Sequence, residues 1–100
     1  MDKFKSHYSL HKIKQFIKKG SYRITVSARK TALEDFSLLE SGIIDVILSL
    51  EISDLYKSMT SYNDNTLWHD VYHKKITNKT AYIKLQLFDE DSIIISFKEK

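Results

Sequence analysis

The sequence predicts an α+β fold, with N-terminal helices packed on one face of a C-terminal antiparallel sheet. Three observations carry the prediction. Apolar residues recur at three- and four-residue spacing through the first half of the chain, which is the helical period. From Tyr56 onward they alternate with polar residues, which is the period of a half-covered strand. The alternating runs are separated by the polar stretches "NDN", "TNK" and "DED", all turn formers. One hundred residues without a visible linker or internal repeat read as one domain, residues 1–100.

Each element has a local reason. In "SLHKIKQFIKKG", Leu10, Ile13, Phe16 and Ile17 share one helix face. Ser9 caps the start, Lys18 and Lys19 favour the C-terminal end of the dipole, and Gly20 supplies a left-handed stop. "YRITV" reads as a short extended segment. Ser27 is the expected cap of a second helix reaching Phe36, with Ala28, Ala32, Leu33 and Phe36 inward. "SGIIDVILSL" is apolar on most sides and reads as a buried helix, although periodicity alone leaves a strand open. The strands are then Leu55 to Thr60, Leu67 to His73, Ala81 to Phe88 and Ile93 to Lys98.

Strand parity goes further. In "AYIKLQLF", Ala81, Ile83, Leu85 and Leu87 point one way, and Tyr82, Lys84 and Gln86 the other. In "IIISFK", Ile93, Ile95 and Phe97 form the apolar face, with Ile94, Ser96 and Lys98 opposite. Matching these faces calls for an odd loop, Asp89 to Asp91, which pairs Ile83 with Phe97 and Tyr82 with Lys98. A phenol and an ammonium are therefore expected side by side on the face without helices. Placing Trp68 and Tyr72 inward buries more area than placing Leu67 and Val71 there, and it sends His69 and His73 to the Tyr82/Lys98 face.

The net charge of +3 is mild, but it is unevenly spread. Residues 1–30 hold nine Lys and Arg against one acid, and residues 31–55 hold six acids and no base. A basic end of this kind fits a polyanionic partner, and it fits equally a solvated helix face kept for solubility. Lys12, Lys14, Lys18 and Lys19 lie off the apolar stripe of the first helix and are the RNA-binding candidates there. The acidic block from Glu34 to Asp54 has no catalytic reading. There is no Cys, so no disulfide framework or thiolate metal site. The start "MDKFKSHY" lacks an apolar signal region and no run could span a bilayer, so a cytoplasmic protein without a membrane partner is expected. The phosphate-loop, dinucleotide and serine-elbow signatures are absent. His69 and His73 lie four apart on a strand, about 13 Å at the usual rise, too far to share one ion. No metal site and no cofactor are expected.

RNA can be cleaved with few parts: a base for the 2′-hydroxyl proton, cations for the phosphorane, and an acid for the leaving 5′-oxygen. A sheet face carrying Lys57, His69, Tyr82 and Lys98 has that inventory, and Lys84 and His73 stand beside it as RNA-binding candidates. Residue types alone are weak grounds, because lysines and tyrosines on an open sheet face are ordinarily just solvated.

Longer motifs say more. "SDLYKSMTSYNDNTLWHDVY", "AYIKL" and the terminal "IIISFKEK" closely resemble the motility quorum-sensing regulator toxins, and "LHKIKQFIKKG" and "TVSARKTA" fit them more loosely. The resemblance covers nearly the whole chain. It implies a RelE-like fold and the toxin of a type II toxin–antitoxin pair, a stress-response endoribonuclease. That enzyme is a sequence-selective mRNA interferase, acting at GCU-type sites in that family. It further implies a cognate zinc-binding, helix-turn-helix antitoxin, so that DNA is met only through the antitoxin. The family's active-site lysines fall on Lys57 and Lys98 and its tyrosine on Tyr82. Two positions depart: His69 stands where the family has an active-site glutamine, and His73-Lys74 stand where it has Arg-Pro. Imidazole can exchange a proton near neutral pH and an amide cannot. The competing reading is a non-catalytic RNA-binding or transcription-regulatory module. Its affinity would come from the basic first helix and would fall steeply with salt.

Overall fold

In the computed structural model, which describes residues 1–100, the chain runs β1 (Asp2–Lys3), α1 (Leu10–Lys18), β2 (Tyr22–Ile24), α2 (Val26–Phe36) and α3 (Glu40–Leu48). A 3-10 turn (Ile52–Asp54) leads into β3 (Leu55–Thr60), β4 (Trp68–Ile76), β5 (Lys79–Phe88) and β6 (Asp91–Glu99). The strands form one sheet in the order β1-β3-β4-β5-β6-β2. The expected α+β layering is present: β3 to β6 are an antiparallel meander, and the helices cover one face. Two short edge strands add to it. β1 pairs antiparallel with β3, and β2 lies parallel to β6. No helix is long and apolar enough to cross a membrane.

Ile13 and Ile17 of α1, Ala28 and Ala32 of α2, and Ile43 and Ile47 of α3 meet Tyr72, Ala81, Ile83, Leu85, Ile94 and Phe97 of the sheet in a single core. Ser9 caps α1 by accepting from the Lys12 amide, and Gly20 takes the left-handed φ of 81° that ends it. Two expectations for α2 are corrected. Its cap is Thr25, not Ser27: the Thr25 hydroxyl accepts from the Ala28 amide at 3.1 Å. The helix thus starts two residues sooner than a Ser27 cap would allow, and Leu33 turns outward to 51% exposure while Ala28 and Ala32 hold the buried stripe.

The β5–β6 hairpin reaches the expected pairing by a different route. Ile83 does pair with Phe97 and Tyr82 with Lys98. The loop, however, has two residues, Asp89 and Glu90, since Phe88 pairs with Asp91. Both have positive φ, 50° and 62°, the signature of a twist-matched two-residue turn. An even loop would put Lys98 in the core, so parity is restored by a bulge: between the Lys84–Ser96 and Leu85–Ile94 pairs, β6 carries one extra residue, Ile95. The bulge also swaps the isoleucines. Ile94 is fully buried, and Ile93 and Ile95 are only half-buried, the reverse of the simple alternation. Thr25 anchors the irregular spot, its amide donating to the Ile94 carbonyl and its hydroxyl to the Ile95 carbonyl. One residue thus caps α2 and secures the bulge that sets the Tyr82–Lys98 register.

Glu90 in the left-handed region carries a steric cost of roughly 1–2 kcal/mol that glycine escapes. Part of that gain is returned as unfolded-state entropy. Glu90→Gly is expected to raise stability by roughly 0.5 kcal/mol, read as a melting point about 3 °C higher. A lower melting point would show that the turn does not constrain the hairpin.

Candidate functional site

The uncovered sheet face collects the residues that strand parity assigned to it. Tyr82, Lys84 and Gln86 project from β5 between the buried Ala81, Ile83 and Leu85. β4 offers His69, Val71 and His73, because Tyr72 is fully buried on the helix side; Trp68, on the same side by parity, is half-buried and stacks on His7 rather than in the core with Tyr72. Lys57 and Met59 come from β3, and Ser96 and Lys98 from β6.

Tyr82 organises this surface. Its ring lies 6.0 Å from the His73 ring, with the Lys98 ammonium 5.2 Å and the Lys84 ammonium 5.8 Å from its centroid. Its hydroxyl donates weakly to the Met59 sulfur at 3.9 Å. Met59 belongs to β3, so the side chain crosses β4 to reach it. Val71, which pairs with Lys57 on one side and Lys84 on the other, is fully buried beneath this layer although no helix covers it. Tyr56 extends the surface, stacked on His73 at 4.2 Å with its ring under the Lys57 ammonium at 5.6 Å.

Charges on this face are unbalanced. Lys84 is held below the usual lysine range, by burial first and then by the Lys98 and Lys57 ammonium groups. One carboxylate meets the three cations: Asp2 of β1 pairs with Lys57 at 2.9 Å and holds the Lys57 ammonium above its usual range. Burial raises the Tyr82 hydroxyl, the Lys57 cation opposing, so at neutral pH the phenol stays a donor. Burial also lowers His69, assisted by Lys84, while the Gln86 amide at its side pulls the other way. His73 is lowered by burial and then by Lys100. Both imidazoles are therefore neutral near pH 7.

The structure thus brings Lys57, His69, Tyr82, Lys98, His73 and Lys84 onto one surface. It does not bring the α1 lysines there. α1 packs its Ile13 and Ile17 on the opposite face of the sheet, and Lys14 spends its ammonium on the Leu50 carbonyl. Lys19 sits over the Phe16 ring at 5.6 Å, and Lys12 and Lys18 point to solvent. The acidic block is used structurally: Glu40 binds Arg29 at 2.7 Å and Tyr22 at 2.5 Å, and Asp54 meets Lys74 at 3.4 Å. Sequence reasoning missed Asp2 and Tyr56. Asp2 could not be found, since a two-residue strand has no period. Tyr56 carried a signal in its alternation with Lys57, but a bulge in β3 between Leu55 and Lys57 breaks the parity that would have oriented it.

Asp2 now masks part of the charge that a polyanion would meet. Asp2→Asn is expected to strengthen single-stranded RNA binding and to steepen the slope of log affinity on log salt by about 0.7, one extra phosphate contact. Fluorescence anisotropy over a salt series measures it, and an unchanged slope would place Lys57 outside the RNA footprint.

A helix-backed sheet whose open face is an aromatic platform ringed by under-neutralised lysines defines a class of small α+β proteins with a cationic, helix-free sheet surface. The comparisons give the particular family. Residues 5–99 match the family described as "Motility quorum-sensing regulator, toxin of MqsA". A curated relative, the "mRNA interferase toxin MqsR" of Escherichia coli (strain K12), is 39% identical over 100 residues, covering the whole of both chains. The chain belongs to the motility quorum-sensing regulator toxin family and, with it, to the ribonuclease class that the relative's name specifies.

Proposed function

We propose that the chain is an mRNA interferase that cuts RNA on the uncovered sheet face without a metal ion, by transesterification at the 2′-hydroxyl. The observation that carries the reading is the convergence of Lys57, Lys84 and Lys98 on Tyr82, three cations with one carboxylate among them. Crowded like charges cost stability, and a phosphate repays that cost when it binds. In the proposed step the 2′-oxygen attacks phosphorus and its proton passes to His69, which burial keeps neutral. The P–O5′ bond breaks, and the Tyr82 hydroxyl, kept protonated, gives its proton to the leaving oxygen. Lys57 and Lys98 stabilise the charge on the phosphorane, with Lys84 and His73 holding the flanking chain. The products are a 2′,3′-cyclic phosphate and a 5′-hydroxyl. Purified protein incubated with RNA containing GCU sites in chelator, with both ends mapped, tests this. Cleavage only when Mg²⁺ is added would overturn the mechanism, and cuts without GCU preference would remove the specificity that the family resemblance supports.

His69 has its own signature. As proton acceptor it must be neutral, so the rate should fall as the pH drops through a value below 6.5, the ordinary histidine value. His69→Gln is expected to remove that acid limb and to lower the rate by about 10²-fold. An unchanged profile would make His69 a hydrogen-bonding group for the RNA, the part an amide could play.

The partner we propose is a zinc-binding, helix-turn-helix antitoxin, supported by the family resemblance and by the family description, which names a toxin of MqsA. Co-expression of the protein encoded by the adjacent reading frame should abolish cleavage. A neighbouring product that neither binds nor inhibits would sink this pairing.

A further inference from the structure

A second feature of the open face has no part in the proposed cleavage step. Where β5, β6 and β2 adjoin, a cleft of about 500 Å³ is lined by residues that include Arg23, Gln86, Phe88 and Ile93. That volume lies in the range of small-molecule sites. The register explains the cleft's position. Arg23 pairs with Ile93, and Ile93 with Gln86, so the three form one row across three strands on the uncovered face. The row continues past Gln86 to the His69 imidazole at its side, and His69 pairs with Met59, the residue that the Tyr82 hydroxyl touches. The cleft and the cleavage site are thus two ends of one cross-strand row. Phe88, two residues beyond Gln86 on β5, points to the same side and is 51% exposed, an aromatic face open to solvent.

We propose that this cleft is a nucleobase subsite, holding an unstacked base of the RNA that flanks the scissile phosphate. The inference rests on the cleavage reading above and adds to it the element that selects sequence. Its occupant follows from the chemistry. Single-stranded RNA is read by splaying a base out, stacking it on an aromatic ring or a guanidinium plane, and bonding its edge. Phe88 offers the ring, and Ile93 the apolar floor. The Arg23 side chain is 70% exposed and held only by a loose 3.4 Å contact to Asp91, so its guanidinium is available. Gln86, only 8% exposed, lies at the base of the cleft, and its amide carries both a donor and an acceptor for a base edge. Continuity with the lysine cluster leads the phosphate chain toward the cleft, since Gln86 follows Lys84 and Tyr82 on the same side of β5.

The test is Phe88→Ala, Phe88→Trp and Arg23→Ala, each measured in two ways. The first is affinity for a fluorescent RNA made uncleavable by a 2′-deoxy sugar at the scissile position. Loss of the stacking ring should weaken binding about ten-fold, and tryptophan should restore it. The second is the base preference of the cut sites on a randomised RNA. The alanine variants should lose preference at one position flanking the cut, with the effect falling on KM more than on kcat. Unchanged affinity and unchanged base preference would overturn the subsite and leave the cleft to a protein partner. A wild-type protein that binds the probe in a Phe88-dependent way but cuts nothing would instead overturn the catalytic reading and keep the subsite. Matching melting points for the variants confirm that a surface site, and not the fold, is being read.

Discussion

Lys98→Ala and Tyr82→Phe are each expected to lower RNA cleavage by about 10²- to 10³-fold while leaving the melting point within a few degrees of wild type. Both halves of that expectation come from the site. Lys98 is exposed at the end of β6, makes no ion pair, and lies over the Tyr82 ring, where a phosphorane would find it. Removing it takes away a preorganised cation and no buried contact. The Tyr82 hydroxyl makes a single long hydrogen bond, to the Met59 sulfur at 3.9 Å, so its deletion costs the fold little. What it removes is the donor that burial keeps protonated, beside the Lys57 cation. Tyr82→Phe keeps the ring that crosses the sheet toward Met59, which separates proton donation from platform. The measurement is cleavage of a defined RNA alongside thermal unfolding of each variant. If both variants stay active, the open face is not the catalytic surface. If both unfold, its residues are structural after all.

Asp70→Ala should have the opposite character, costing the fold about 3 kcal/mol and lowering the melting point by roughly 15 °C. Asp70 is fully buried on the helix side of β4. Its two oxygens accept from the backbone amides of His7 and Tyr8, each at 2.9 Å. Hydrogen bonds to a buried charge are worth about 1.5–3 kcal/mol, and alanine would leave both amides without their partner. The Tyr8 hydroxyl adds a bond to the Trp68 carbonyl at 2.7 Å, and His7 stacks on Trp68 at 5.3 Å. The N-terminal segment is therefore pinned to β4 by the Asp70 carboxylate together with the Tyr8 and His7 contacts to Trp68. Downstream of that pin in space lies β1, whose Asp2 holds Lys57. Asp70→Asn retains one acceptor oxygen and should lose about half as much. Urea unfolding of the three proteins checks the order, and a fully stable Asp70→Ala would mean that the N-terminal segment is held without this carboxylate.

Much of this architecture was legible because period and parity are local properties. α1 is written in the spacing of Leu10, Ile13, Phe16 and Ile17 and in its Ser9 and Gly20 ends. The meander is written in alternation, and alternation alone sent Tyr82 and Lys84 away from the core. Where local rules failed, another part of the chain had intervened. Ser27 was an adequate cap by type, but Thr25 could also bond the β6 carbonyls, and that second contact decided where α2 begins. The β5–β6 loop was expected to be odd because the faces had to match. The chain used a two-residue turn that suits strand twist and put the odd residue into a bulge. Both solutions give the same Tyr82–Lys98 pair, which explains how a wrong loop led to a right register.

The sequence by itself determined the fold class, the side of the sheet on which each meander residue before the bulge would lie, and the toxin family through its longer motifs. Those follow from side-chain periodicity and from residue identity, neither of which needs the chain to be folded to be read. Tertiary structure alone decided which charges meet. It placed the α1 lysines on the far side of the sheet from Tyr82, although composition counted them with the rest of the basic end. It brought Asp2 from 55 residues away to Lys57. It aligned Arg23 of a parallel edge strand with Ile93 and Gln86 to make a cleft. Electrostatics and pockets depend on distances between residues remote in the chain, and loop closure fixes those distances only when the core has formed.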